Sequence, residues 1–253
     1  MTTLLLCEHR KTKRKYLFLT ALAVTALQVG WGLHGRYNAD ALKWGWMIFL
    51  YQLPLVNTIF MPFLTIIISS RLADIEHKGV MIKQLAVITD KGKIYDAKLI
   101  YGLCITLLCS LAGWGITIAF GYFKGFAGAL PLRLYALYLL FTIVPTAAVY
   151  CFQHALSLLY KNQAVTFFAG VIGTFIGLFS MFLPPLPLLR SLLPWCGYGA
   201  LSFVGMFGWT KETRMKYVSY EMTDINWVGF GILCAMCIIL YIVGRTLFCR
   251  KEV

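Results

Sequence analysis

Residues 69–99 read SSRLADIEHKGVMIKQLAVITDKGKIYDAKL. Strongly apolar chain flanks this stretch on both sides, yet the stretch holds ten charged residues. Each would cost about 2.5–3.5 kcal/mol at the centre of a membrane helix. The segment therefore reads as a loop outside the bilayer, and the apolar runs beside it read as spans.

The rest of the chain fits that division. Of its 253 residues, 60% are hydrophobic and 13% charged, and the mean hydropathy is +0.75. A soluble domain carries roughly 25% charged residues. Apolar runs of about 20 residues recur, each enough to cross a ~30 Å hydrocarbon core. The expectation is an all-α polytopic membrane protein with six transmembrane helices at 16–33, 45–69, 99–121, 133–159, 164–183 and 227–244. The apolar run behind the basic start is too long for a signal-peptide core and shows no small-x-small cleavage site, so it reads as an uncleaved first helix.

The formal net charge of +13 points to basic loops facing anionic lipid rather than to nucleic acid. Its distribution sets the orientation. Residues 10–15 supply five basic groups, the 70–98 loop six, the 160–163 turn one and the C-terminus three, which is 15 of the 23 Lys and Arg. By the positive-inside rule this face is cytoplasmic, with both termini on it.

Within the loop, Glu76 to Ile88 suits a short helix. Met81, Leu85 and Ile88 share one stripe, blurred by Val80, Ile82 and Val87. Such a surface either seats in a partner's groove or packs on the protein's own spans and headgroups. The start, TTLLLCEHRKTKRK, places Leu4 to Leu6 before a basic cluster and suits a helix lying in the membrane interface. Residues 183–226 are broken by six Pro and Gly residues, from Pro184 to Gly199. A re-entrant pair of short helices fits there, since irregular backbone at membrane depth needs protein or water around it. A polar, aromatic outer segment follows.

Several chemistries are missing. The sequence has no phosphate-binding G-x-x-x-x-G-K-[ST], H-E-x-x-H or G-x-S-x-G. No Asp or Glu falls inside an expected span, which disfavours a proton- or cation-coupled carrier. An enzyme acting on lipid would show clustered acids or histidines at one face, and none is found. Of the eight cysteines only Cys196 falls outside, so no external disulfide forms within the chain; the Cys234–Cys237 pair lies mid-span without partners for zinc. His154, beside Gln153 in span four, reads as an interhelical hydrogen bond. A membrane body with an apolar docking helix and no engine needs an energy-supplying partner.

The sequence resembles the permease subunits of ABC-2-type exporters, and more narrowly those of lantibiotic-immunity and bacitracin-resistance transporters. The resemblance spans the chain as a single permease domain. It rests on the six spans, on Glu8 within LLLCEHRKTKRK, on Glu76-x-x-Gly79 followed by Leu85 and Tyr95-x-x-Lys98, and on the broken segment before the last span. Where such permeases often carry a Pro after the loop's Leu, residues 85–89 read LAVIT, so the loop helix is free to run longer.

The resemblance implies an interfacial elbow helix at 1–15, with Glu8, Arg10 and Lys11. It also implies a coupling helix in the 70–98 loop, with Glu76, His77, Lys78, Gly79, Met81, Lys83 and Leu85 against an ATPase subunit. ATP and Mg²⁺ would bind two copies of that partner, and this chain would hold no cofactor and not be an enzyme. A second, different permease would complete a heterodimer in a bacterial cell membrane. The implied cargo is a cationic peptide antibiotic, with Glu212, Tyr217, Tyr220, Glu221 and Asp224 available to meet it outside. Another ABC-2 cargo (lipid, polysaccharide or drug) and a non-transporting, peptide-sequestering immunity protein remain as alternatives.

Overall fold

The computed structural model describes the chain except for residues 14, 36, 79–80, 183–186, 212–217 and 252–253. In chain order its helices are α1 (Thr2–Lys13), α2 (Leu17–Gly32), α3 (Ala39–Lys43), α4 (Gly45–His77), α5 (Met81–Ile88), α6 (Lys91–Lys124), α7 (Leu132–Leu159), α8 (Gln163–Ser180), α9 (Pro187–Leu192), α10 (Gly197–Ala200) and α11 (Trp227–Arg250). A 3₁₀ turn, Pro194–Cys196, precedes α10, and two strands, β1 (Val204–Phe207) and β2 (Ser219–Met222), follow it.

Side chains set several helix ends. Asp90 caps α6 by accepting from the Lys93 N–H at 3.2 Å. Asn162 caps α8 and Asn226 caps α11 in the same way. Gly125 ends α6 in the left-handed conformation at φ 72°, which a residue without a Cβ adopts freely. Tyr16, at φ 53°, separates α1 from α2, so the chain turns sharply there.

Helices α4, α6, α7, α8 and α11 are long and apolar enough to cross a membrane. The expected first span is the shorter α2, whose 16 residues reach about 24 Å. Two expected boundaries move. Helix α4 runs for 33 residues and α6 for 34, about 50 Å each, well beyond a ~30 Å core. Most of the charge read as a thirty-residue loop therefore sits on helical extensions: Arg71, Asp74 and Glu76 on α4, and Lys91, Lys93, Asp96 and Lys98 on α6. The true connection is residues 78–90, with α5 inside it.

The segment before α11 contains the short helices expected of it. Trp195 lies on the glycine face of α8, where Gly173 and Gly177 leave room for the ring and its backbone, and it meets Phe152 of α7 edge-on at 5.0 Å. Protein thus shields this irregular backbone. The all-α expectation needs one correction: β1 and β2 form an antiparallel hairpin, Val204 opposite Met222 and Phe207 opposite Ser219. The β-branched and aromatic residues that favour it lie beyond the proline-rich stretch that dominates the sequence pattern.

Two apolar clusters hold the bundle. One joins Ile68 and Leu72 of α4, Tyr95 and Leu99 of α6, Tyr150 of α7 and Phe248 of α11. The other, at the opposite end, joins Trp46 and Phe49 of α4, Tyr135 and Phe141 of α7, Phe203 and Tyr220.

Candidate functional site

Four ionised side chains meet where α1, α4 and α6 converge. Lys98 of α6 donates to Glu8 Oε2 of α1 at 2.8 Å and to the Leu72 carbonyl at 3.3 Å, and its Nζ lies 3.0 Å from Glu76 Oε1 of α4. Lys11 of α1 reaches Glu76 Oε1 at 2.8 Å and Glu8 Oε1 at 3.3 Å. Lys98 and Glu76 are fully buried and Glu8 is 5% exposed. Burial works against the Lys11 ammonium, but the Glu76 hydrogen bond and the Glu8 and Glu76 charges outweigh it, so its pKa is raised above the usual lysine value. Two acids against two bases leave the cluster formally neutral, the condition under which burying charge is tolerable. Among the described residues Glu76 Oε2 has no hydrogen-bond partner.

Around this centre, Thr12 and Tyr101 share a hydrogen bond at 2.8 Å, and His9 Nδ1 lies 3.2 Å from the same hydroxyl. The His77 Nε2 lies 2.9 Å from the Ser157 carbonyl of α7. A second ion pair, Arg245 to Asp96 at 3.1 Å with the Tyr241 hydroxyl donating to the same carboxylate, ties α11 to α6. Each long helix is thus fixed to a neighbour close to the α5 connection.

The structure sorts the expected coupling residues. Glu76 belongs to α4, not to the loop helix, and its full burial leaves it no surface for a partner. His77 is committed to α7. Lys78 is exposed and pairs with Asp74 at 2.7 Å. Gly79 lies outside the described residues; Met81 and Lys83 fall on α5, but their side chains are not among those described. Leu85 is half-buried, whereas Ile88, expected on the same stripe, and Val87, expected to blur it, are 81% and 88% exposed. On α1, Glu8 and Lys11 turn inward and Arg10 faces out.

At the far end, Tyr220 is buried against Trp44 and Tyr51, so its ring is core rather than a contact for cargo. Glu221 and Asp224 are exposed, and Ser219 donates to Glu221 at 2.9 Å. Glu212 and Tyr217 lie outside the described residues. His154 bonds across helices as expected, its Nε2 3.3 Å from the Tyr95 carbonyl. Among the described residues no cluster of His, Cys, Asp and Glu suits a metal ion.

Five apolar helices of spanning length, with charge confined to their ends or neutralised in pairs, define a multi-pass membrane protein. Residues 4–177 match the family model described as ABC-2 family transporter protein, and the chain belongs to that family. The match covers α1 to most of α8, and so includes every member of the buried cluster. No curated protein matches the chain significantly. Members of this family are the membrane subunits of transporters, which places an ABC ATPase among the partners of this chain.

Proposed function

We propose that this chain is the permease of an ABC exporter that expels a lantibiotic-type cationic peptide from the bacterial cell membrane. The observation that carries the coupling part is α5. It presents Val87 and Ile88 to solvent between two long helices, and the roots of those helices are pinned to α1 by buried ion pairs. Bare valine and isoleucine at the tip of a charged extension favour burial in a partner's groove, each worth about 1.5–3 kcal/mol when fully covered. In this reading α5 faces the cytoplasm with both termini. Two ATPase subunits close on ATP and push α5, and α4 and α6 carry the displacement into the spans. A second, different permease completes the transporter.

The cargo reading rests on the resemblance to immunity permeases, on the exposed acids Glu221 and Asp224 and on the exposed aromatics Phe207 and Trp209 in the same segment. That surface complements a cationic, amphipathic peptide.

The test is a mild-detergent pull-down from the native membrane. The wild type brings an ATPase subunit with it, and the double substitution Val87→Asp and Ile88→Asp loses it while the chain still elutes normally. Undiminished ATPase recovery from that variant refutes the docking role of α5. Neutralising Glu221 and Asp224 lowers resistance to a cationic peptide; unchanged resistance at equal expression refutes the cargo reading.

A further inference from the structure

Helices α2 and α4 run antiparallel, and three contacts fix their levels. Gln28 donates to Asn57 at 2.6 Å, and a Cβ on Gly32 would touch Leu53 and, more distantly, Val56. Position 34 therefore stands level with position 52, and position 26 with about position 60. Beside these contacts the two helices leave an open groove of about 700 Å³, within the ~300–1,000 Å³ typical of small-ligand sites. It runs from Ala26 of α2 to His34 just past the end of that helix, about 12 Å.

The lining is graded along that length. Ala26, Leu27, Gly30, Val56 and Phe60 make the inner part apolar, and His34 and Gln52 stand at the mouth. The groove is open at Gly30, where a Cβ would meet nothing within 4 Å. Trp31 lines the groove as well, 68% exposed and with its ring 6.5 Å from that of Phe60. No side-chain hydrogen bond of His34 or Gln52 is found among the described residues, yet both lie at the edge of a hydrocarbon-facing surface. Water does not fill an apolar groove at membrane depth, and an empty one forfeits dispersion contacts along its walls. Something with a hydrocarbon chain and a hydrogen-bond-accepting head satisfies both halves at once.

We propose that this groove is a binding site for a glycerophospholipid of the leaflet opposite the ion-pair cluster. One acyl chain lies along Leu27, Gly30, Val56 and Phe60. The phosphate and ester oxygens accept from the His34 ring and the Gln52 amide. The lipid is a ligand of the permease, distinct from the annular lipid that wets the smooth apolar face of α11. The site does not depend on the identity of the cargo or on the docking of an ATPase.

The probe is phosphatidylglycerol carrying a photoactivatable diazirine in one acyl chain, mixed into nanodiscs that hold the full chain. Labelled positions are mapped by mass spectrometry. The expected result is labelling of the α2–α4 groove about tenfold above the Ile238–Ile242 face of α11, a preference of ~1.4 kcal/mol. Gly30→Trp fills open space rather than core, so the variant folds, and its groove labelling falls to the α11 level. Gly30→Leu gives an intermediate loss, and His34→Leu with Gln52→Leu weakens labelling with the apolar groove intact. Equal labelling of groove and α11 face, unmoved by Gly30→Trp, overturns the proposal in favour of annular lipid only. So does efficient interchain cross-linking through Gly30→Cys in native membranes, which would make the groove a helix–helix interface.

Discussion

Removing the Lys98 ammonium is the sharpest perturbation of the cluster, because Lys98→Met keeps most of the unbranched apolar stem and deletes the charged donor at its end. Lys98 sits 2.8 Å from Glu8 and 3.0 Å from Glu76. At an effective dielectric of about 20, each contact is worth about 6 kcal/mol of attraction. Desolvation opposes this by several kcal/mol for each buried ion, so the pairs are net contributors of modest size. Breaking them is another matter. In the variant, two carboxylates remain beside one ammonium, and Glu76 already has one oxygen without a partner. Uncompensated buried charge of this kind costs about 3–5 kcal/mol.

The assay is thermal unfolding in detergent at a fixed scan rate, read by loss of the monodisperse elution peak, because membrane proteins commonly unfold irreversibly. For a chain of this size, a loss of about 3–5 kcal/mol lowers the midpoint by roughly 6–20 °C. The double variant Glu76→Gln with Lys98→Met recovers part of the loss, since it removes both charges of one pair. A midpoint within about 3 °C of wild type for Lys98→Met, less than ~1 kcal/mol by the same conversion, refutes the reasoning. So does strict additivity in the double variant, which would mean that the two side chains do not share an energy.

Three further outcomes follow from the packing of the helices. Because the Lys11 pKa is raised in the folded state, its contribution is complete below the unfolded value of about 10.4 and is lost as pH climbs through the folded value. The stability gap between wild type and Lys11→Met is therefore flat from pH 7 to about 10 and shrinks above it; a gap that widens with pH contradicts the assignment. Asn57, fully buried, accepts from Gln28 and donates to Tyr138 at 2.7 Å and to Thr142 at 3.0 Å, so Asn57→Leu costs about 2 kcal/mol at ~0.6 kcal/mol per interhelical bond, checked by the same melt. Gly102→Ala drives a methyl group into the Tyr150 hydroxyl and costs about 1–3 kcal/mol, whereas Gly115→Ala meets nothing within 4 Å and is neutral or stabilising by up to about 1 kcal/mol.

The apolar spans were legible because hydropathy over twenty residues is a property of composition. Their true ends were not. The charges of residues 71–76 and 91–98 mark where hydrocarbon stops, and a helix has no reason to stop there if its charges find partners. Those partners are far away in sequence: 90 residues separate Glu8 from Lys98. Glu8, Glu76 and Lys98 each stood out within a local pattern, yet no local pattern states that they touch. Within the cluster, the i,i+3 spacing of Glu8 and Lys11 is the one pairing that helical geometry implies directly. Ile88 was expected on one stripe with Met81 and Leu85, and Val87 off it, yet both are bare. Exposure on α5 follows what packs against it and not its own period, and among its described side chains Val87 and Ile88 are the most exposed apolar ones. The hairpin escaped notice because four-residue strands carry too short a period to compete with the helical pattern around them.

The cluster also raises a question that stability alone does not answer. Well-packed apolar side chains commonly match or exceed a buried ion network by about 1–4 kcal/mol. If Glu8, Lys11, Glu76 and Lys98 served only to hold α1 against α4 and α6, the fourfold replacement Glu8→Leu, Lys11→Met, Glu76→Leu and Lys98→Met should keep the melting midpoint and leave transport intact. Ion pairs differ from an apolar contact in how they yield. A lysine that spans two carboxylates can trade one for the other as helices slide, so the joint has more than one low-energy arrangement, whereas an apolar plug has one. A permease driven through α5 needs the roots of α4 and α6 to move relative to α1. The expected result is therefore a split: the fourfold variant melts at or above the wild-type midpoint, still recovers its ATPase in the pull-down, and loses ATP-dependent resistance. Retained resistance at full stability would reduce the cluster to a fastener, and the coupling path would then have to run through the Asp96–Arg245 pair or the packing of α7 instead.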